Sequence, residues 1–185
     1  MKNEKVPVNI YPDNRQASAA VALRIADLIR NSGSKPVVLG LATGHTPVNV
    51  YQQLIKMHHE ENLDFENVIT FNLDEYWPIK PNAMQSYNHW MHENLFNHIN
   101  IPPQNINIPP GDVAENEMKN FCLNYEEKIK KFGGIDLQIL GIGRSGHVGF
   151  NEPGSPKNSR TRRIHLDIIT RKDAASDFFG EENVP

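Results

Sequence analysis

The sequence predicts an α/β fold, a Rossmann-like three-layer sandwich with a mostly parallel sheet, and three observations carry that prediction. Short apolar runs without alternation, at Pro36–Leu41, Asn67–Leu73 and Asp136–Ile142, suit strands buried on both faces. Between them lie long segments whose apolar residues recur at helical spacing. Strands and helices in alternation build right-handed βαβ units, and so a parallel sheet covered on both sides.

The elements follow in order. Val6–Tyr11 reads as a short strand, and Pro12-Asp13-Asn14 as a helix entry. From Gln16 to Asn31, Val21, Ile25, Leu28 and Ile29 share one helix face, and Gly33 stops the helix. After the strand at Pro36–Leu41, Pro47–Glu60 predicts a helix with Val50, Leu54 and Met57 inward. The strand at Asn67–Leu73 precedes a helix over Met84–Ile99, with Tyr87, Met91, Leu95 and Phe96 in register. Four prolines, at 102, 103, 109 and 110, bracket a short strand at Asn105–Ile108. A further long helix spans Glu115–Phe132 and ends at Gly133-Gly134, before the strand at Asp136–Ile142. His147–Asn158 holds Gly149, Pro153, Gly154 and Pro156 and reads as a loop. A strand at Arg162–Ile168 and a helical turn at Ala174–Phe179 complete the expectation.

Composition bounds the function. With 185 residues, 38% of them hydrophobic, and only 12 Gly and 13 Pro, the chain is neither disordered nor of low complexity. Nineteen Lys and Arg against 22 Asp and Glu give a net charge of −3, which leaves no basic face for nucleic acid. No apolar run is long enough to span a bilayer, and MKNEKVPVNIYPDN lacks the apolar stretch of a secretory signal. The single cysteine, Cys122, fits a reducing compartment. The expectation is one cytoplasmic α/β domain, an enzyme or a binding module.

Ligands of such sheets bind beyond the carboxyl ends of the strands, which directs attention to three turns. Ala42-Thr43-Gly44-His45-Thr46-Pro47 joins strand to helix with a glycine, two hydroxyls and a helix N-terminus. It reads either as a phosphate cradle or as an ordinary βα turn with Thr46 as N-cap. Asp74-Glu75 follows the second strand directly, where carboxylates are costly unless used or paired. Neighbours on an extended chain point oppositely, so one can be a working base and the other a structural partner. The third turn, Gly141-Ile142-Gly143-Arg144-Ser145-Gly146-His147, fits the dinucleotide fingerprint in letters only, because no helix opens at Gly146. It offers His147 on a glycine-rich loop, with Glu152 five residues on, as an acid–base pair.

Together these segments resemble the glucosamine-6-phosphate deaminase/isomerase family. The resemblance rests on LGLATGHTP (Leu39–Pro47), VITFNLDEYW (Val68–Trp77), QSYNHWMHENLFNHINIP (Gln85–Pro102) and DLQILGIGRSGHVGFNEPGS (Asp136–Ser155), extended by SRTR and DAASDFF. It implies Asp74 as the base at C2 of an open-chain aminosugar phosphate, His147 as the imidazole that assists ring opening, and Glu152 as its orienting carboxylate. Thr43, Gly44 and Thr46 correspond to the loop that holds the 6-phosphate, within which His45 replaces a small residue and either adds a contact or crowds the phosphate. The implied chemistry is aldose–ketose isomerisation with loss of ammonia, needing neither metal nor organic cofactor. The implied partner is a small aminosugar phosphate, with homo-oligomerisation left open.

Three departures stand out. Ser145 occupies the place of an acidic residue that usually completes the relay with the imidazole, so ring opening is expected to suffer by about 10²-fold or more. Asp177 stands where many members place a phosphate-binding arginine, and Ile164 where a lysine is expected at an allosteric site that Ser155 and Arg162 otherwise match. Members also run on past a segment like Asn183-Val184-Pro185, so the expectation is a single domain over residues 1–185 that lacks its C-terminal part. A catalytically impaired or altered-specificity sugar-phosphate binder is the alternative function, and lactone hydrolysis a third.

Overall fold

The computed structural model describes residues 6–185. Strands β1 (Val37–Leu41), β2 (Val68–Asn72), β3 (Ile106–Asn107) and β4 (Leu137–Gln138) form one sheet in the order β3-β2-β1-β4. Every pairing is parallel, as apolar runs without alternation require. All five residues of β1 and of β2 are buried. Val37 pairs with Val68 and Leu41 with Asn72, so β1 and β2 end side by side. The chain steps outward from β1 to β3 and then returns to place β4 on the other side of β1. That reversal opens a crevice beyond the carboxyl ends of β1 and β4.

Helices cover both faces. Helix α1 (Asn14–Arg30), helix α2 (Val48–Glu61) and helix α3 (Tyr87–Asn94) pack Ile25, Tyr51, Leu54 and Met91 against Leu39, Leu41 and Val68. Helix α4 (Met118–Lys131) lays Tyr125 on the opposite face, against Val38, Ile69 and Phe71. A third cluster of Tyr76, Phe178 and Val184, with Tyr87 and Phe150 packed against it, sits beyond the strand ends. Among the described residues no helix is long and apolar enough to cross a membrane.

Two tyrosines finish the strand ends. Where β1 and β2 leave the ladder, carbonyls need new donors. The Tyr51 hydroxyl, from α2, donates to the Ala42 carbonyl at 2.5 Å. The Tyr125 hydroxyl, from α4, lies 2.8 Å from the Asn72 carbonyl and 3.1 Å from that of Asn107. Burial raises the pKa of both phenols, so each remains a donor. Tyr51→Phe orphans the Ala42 carbonyl at the start of the Thr43–Thr46 turn. The expected cost is about 1–2 kcal/mol in urea unfolding.

Several elements differ from the sequence expectation. Residues 6–11 form no strand, and Val6, Val8 and Ile10 lie exposed with no neighbouring strand to pair them. The helix expected over Met84–Ile99 is shorter: Ser86 caps α3, and Leu95, at φ −147°, breaks it before a 3₁₀ turn at Phe96–His98. Residues 162–167 form no strand, and the turn expected at Ala174–Phe179 is preceded by a true helix, α5 (Ile168–Ala174). Asp167 is its N-cap, accepting from the Ile169 N–H. The apolar run Asp136–Ile142 contributes only Leu137 and Gln138 to the ladder, because β4 is an edge; Leu140 is 53% and Ile142 81% exposed.

Candidate active site

Asp74 and Glu75 follow β2 directly and divide two roles between them. The Glu75 carboxylate accepts from the Tyr76 N–H (2.9 Å), the Tyr87 N–H (2.9 Å) and the Asn88 N–H (2.8 Å). Tyr87 and Asn88 open α3, and the next free donor, the His89 N–H, bonds to Ser86 Oγ at 3.0 Å. The amide groups that a helix start leaves unpaired are thus satisfied by one carboxylate and one hydroxyl. Burial raises the Glu75 pKa, and its three backbone donors oppose that rise. Glu75 is the structural partner.

Asp74 points the other way. Its pKa is pushed up to about 7, first by burial and then by the Glu75 charge, against the Phe150 backbone N–H that donates to it. Gly149 makes this approach possible. At φ +57° it holds a left-handed turn, and a Cβ there would lie 2.3 Å from Leu73 Cδ2 and 3.0 Å from Asp74 Oδ2. The glycine-rich loop after β4 therefore closes directly onto the end of β2.

Tyr87 connects Asp74 to the first turn. Its hydroxyl meets the Thr43 side chain, feels the Asp74 charge, and donates to the Tyr76 hydroxyl at 3.4 Å. Gly44, at φ +97°, has open space where a Cβ would stand, and His45 and Thr46 are exposed beside it. Thr46 is not the N-cap of α2; Pro47 holds that place and supplies no side-chain cap. The first-turn N–H groups of α2 consequently carry no side-chain acceptor at the helix's positive end.

His147, Ser145 and Glu152 form the third group. His147 Nδ1 lies 2.8 Å from Ser145 Oγ and 3.8 Å from Glu152 Oε2. Ser145 Oγ also lies 3.3 Å from Glu152 Oε2, so the serine stands between imidazole and carboxylate. Thr170, from α5, makes a second bridge, 3.0 Å from Nδ1 and 2.6 Å from Glu152 Oε1. Gly143 leaves room for the ring: a Cβ there would sit 2.0 Å from His147 Nε2. Residues 142–151 form a loop closed by isolated bridges, with no helix at Gly146.

Asp74, Thr43 and Phe150 are thus brought together, and the loop carrying Phe150 also carries His147. Thr170 and Tyr87 were missed as site residues by sequence reasoning. Tyr87 was placed only on an apolar helix face, and Thr170 only follows a segment expected to be a strand. Asp177, exposed on the C-terminal segment, raises the Tyr76 pKa through its charge and so faces the same cluster. A cavity of about 660 Å³ opens beside Asp74 on the α4 side of the sheet, bordered by Tyr125, Phe150, Arg162 and Arg171. Among the described residues no group of three or more His, Cys, Asp or Glu is arranged to hold a metal ion.

Comparison with known proteins shows the family. A family model described as glucosamine-6-phosphate isomerases/6-phosphogluconolactonase matches residues 12–174. Glucosamine-6-phosphate deaminase 2 of Bacillus subtilis is 53% identical over 150 residues, covering 81% of this chain and 59% of that protein. A glucosamine-6-phosphate deaminase-like protein of Bacteroides thetaiotaomicron is 43% identical over 184 residues, of which this chain spans only 28% of the length. The solved structure of a monomeric glucosamine-6-phosphate deaminase superposes with a TM-score of 0.92 at 39% identity, over 97% of this chain and 73% of that one. The chain spans well under two thirds of the length of the first two relatives. By the extent of the family match and the identity to these relatives, the chain belongs to the glucosamine-6-phosphate isomerase/6-phosphogluconolactonase family.

Proposed function

We propose that the chain carries the proton-transfer centre of a glucosamine-6-phosphate deaminase, converting an aminosugar phosphate to a ketose phosphate and ammonia. The observation that carries this reading is Asp74: a carboxylate at a strand end whose pKa of about 7 suits a base that takes and returns a proton at neutral pH. His147 moves a proton between O1 and the ring oxygen to open the sugar. Asp74 then takes the C2 proton to give an enolamine, and the same proton returned to C1 leaves an imine at C2. Water adds there and ammonia departs. Thr43, Gly44, His45 and Thr46, at the uncapped start of α2, hold the phosphate.

Ammonia release from glucosamine 6-phosphate tests the reading, and its pH dependence tests the base. Only the carboxylate form of Asp74 accepts a proton, so kcat/KM rises with pH through about 7. An acid limb near the ordinary value of 3.8 would show that burial does not hold Asp74 up, and an acid limb that persists in Asp74→Asn would show that another group is the base. Binding without turnover is the second reading, and Asp177 favours it, since its carboxylate adds negative charge beside the cluster that would receive a dianion. Calorimetric binding of the phosphosugar with no ammonia formed would select it.

A further inference from the structure

We propose that Thr170 is a positioning residue that fixes His147 as the Nδ1–H tautomer and so leaves Nε2 as its working nitrogen. The argument is a count of protons. Each hydroxyl has one proton to donate, and the Glu152 carboxylate can only accept. Thr170 Oγ1 is 2.6 Å from Glu152 Oε1, the length of a charge-assisted O–H···O bond, so its proton is committed there. Its remaining lone pairs face His147 Nδ1 at 3.0 Å. Two lone pairs at that distance repel, whereas an Nδ1–H donates into the threonine oxygen.

Ser145 cannot make this choice. Its Oγ is closer to His147 Nδ1 (2.8 Å) than to Glu152 Oε2 (3.3 Å). It can donate to a bare Nδ1 or accept from an Nδ1–H, and so satisfies either tautomer. Thr170 alone discriminates. The site is built for this: Thr170 is 5% exposed, and the side chains of His147 and Glu152 are 17% and 14% exposed. The helix that carries Thr170 is fastened to the loop twice more. The Asp167 N–H donates to Glu152 Oε1 at 3.1 Å, and Arg144 pairs with Asp173 through Nε (3.1 Å) and Nη2 (2.5 Å).

The tautomer is read by long-range 1H–15N correlation spectra of the whole chain with the imidazoles neutral. A His147→Gln spectrum assigns the signal among the eight histidines. The wild type is expected to show Nδ1–H at His147, Thr170→Val a mixture or the Nε2–H form, and Thr170→Ser the wild-type form again. A wild-type Nε2–H signal overturns the proposal without any variant, and so does a Thr170→Val spectrum identical to wild type. The rate consequence rests on the deaminase reading: kcat for ammonia release is expected to fall about tenfold in Thr170→Val, with KM little changed and serine restoring it. An altered tautomer with unaltered kcat overturns the positioning role. Absence of ammonia from the wild type refutes the deaminase reading and leaves the tautomer result to stand or fall by itself.

Discussion

Asp74→Asn is expected to abolish ammonia release and at the same time to stabilise the protein at neutral and alkaline pH. The amide cannot accept the C2 proton, and loss of a positioned base costs about 10²–10⁴-fold in rate. The stability effect has the opposite sign. Asp74 has a folded pKa of about 7 against 3.8 ordinarily, so the folded state holds a proton that the unfolded chain has released between those values. Stability from this group is therefore full below about pH 4 and is lost as pH rises through 7. Asparagine never ionises and escapes that loss, with an expected gain of up to about 4 kcal/mol at pH 8 and under about 1 kcal/mol at pH 4. Urea unfolding of both proteins at the two pH values measures it. Equal stability at pH 8 would mean that Asp74 is not held up by burial. The base and the fold thus make opposed demands on one carboxyl group.

Glu75→Ala is expected to do the reverse, with a large loss of stability. The substitution removes one acceptor from three backbone N–H groups, two of them at the start of α3. Charge-assisted bonds of this kind are worth about 1.5–3 kcal/mol each before water replaces them. The net cost expected is about 3 kcal/mol, a large share of the roughly 5–15 kcal/mol that holds a domain together. Activity falls with it, because α3 carries Tyr87, whose hydroxyl stands between Thr43 and Asp74. Thermal melting with and without ligand separates the two effects. A variant as stable as the wild type would show that α3 is held by Ser86 and the aromatic cluster instead.

The parallel sheet was legible because burial on both faces leaves its mark in composition: Pro36–Leu41 is apolar throughout, Asn67–Leu73 holds Val68, Ile69, Phe71 and Leu73 without strict alternation, and both are strands almost to the residue. That Asp74 and Glu75 would turn to different partners was legible too, since strand geometry forces adjacent side chains apart. Which of the two was structural needed the helix that Glu75 caps, 12 residues further on. Edges were not legible. Val6–Tyr11 and Asp136–Ile142 look alike as apolar runs, yet pairing depends on what lies beside a strand, and composition does not record neighbours. Thr170 escaped for the same reason. Its importance comes from meeting His147 and Glu152 across 23 and 18 residues of chain.

The unfinished edge at β4 has a consequence of its own. Beyond Gln138 only the Ile139 N–H still reaches β1, through the Gly40 carbonyl, and Leu140 and Ile142 lie exposed, in a chain whose net charge of −3 offers little repulsion between copies. An open, apolar edge of this kind is a template for intermolecular pairing. For these 185 residues prepared by themselves, shelf life in concentrated solution is governed by that edge, several residues from the nearest catalytic group.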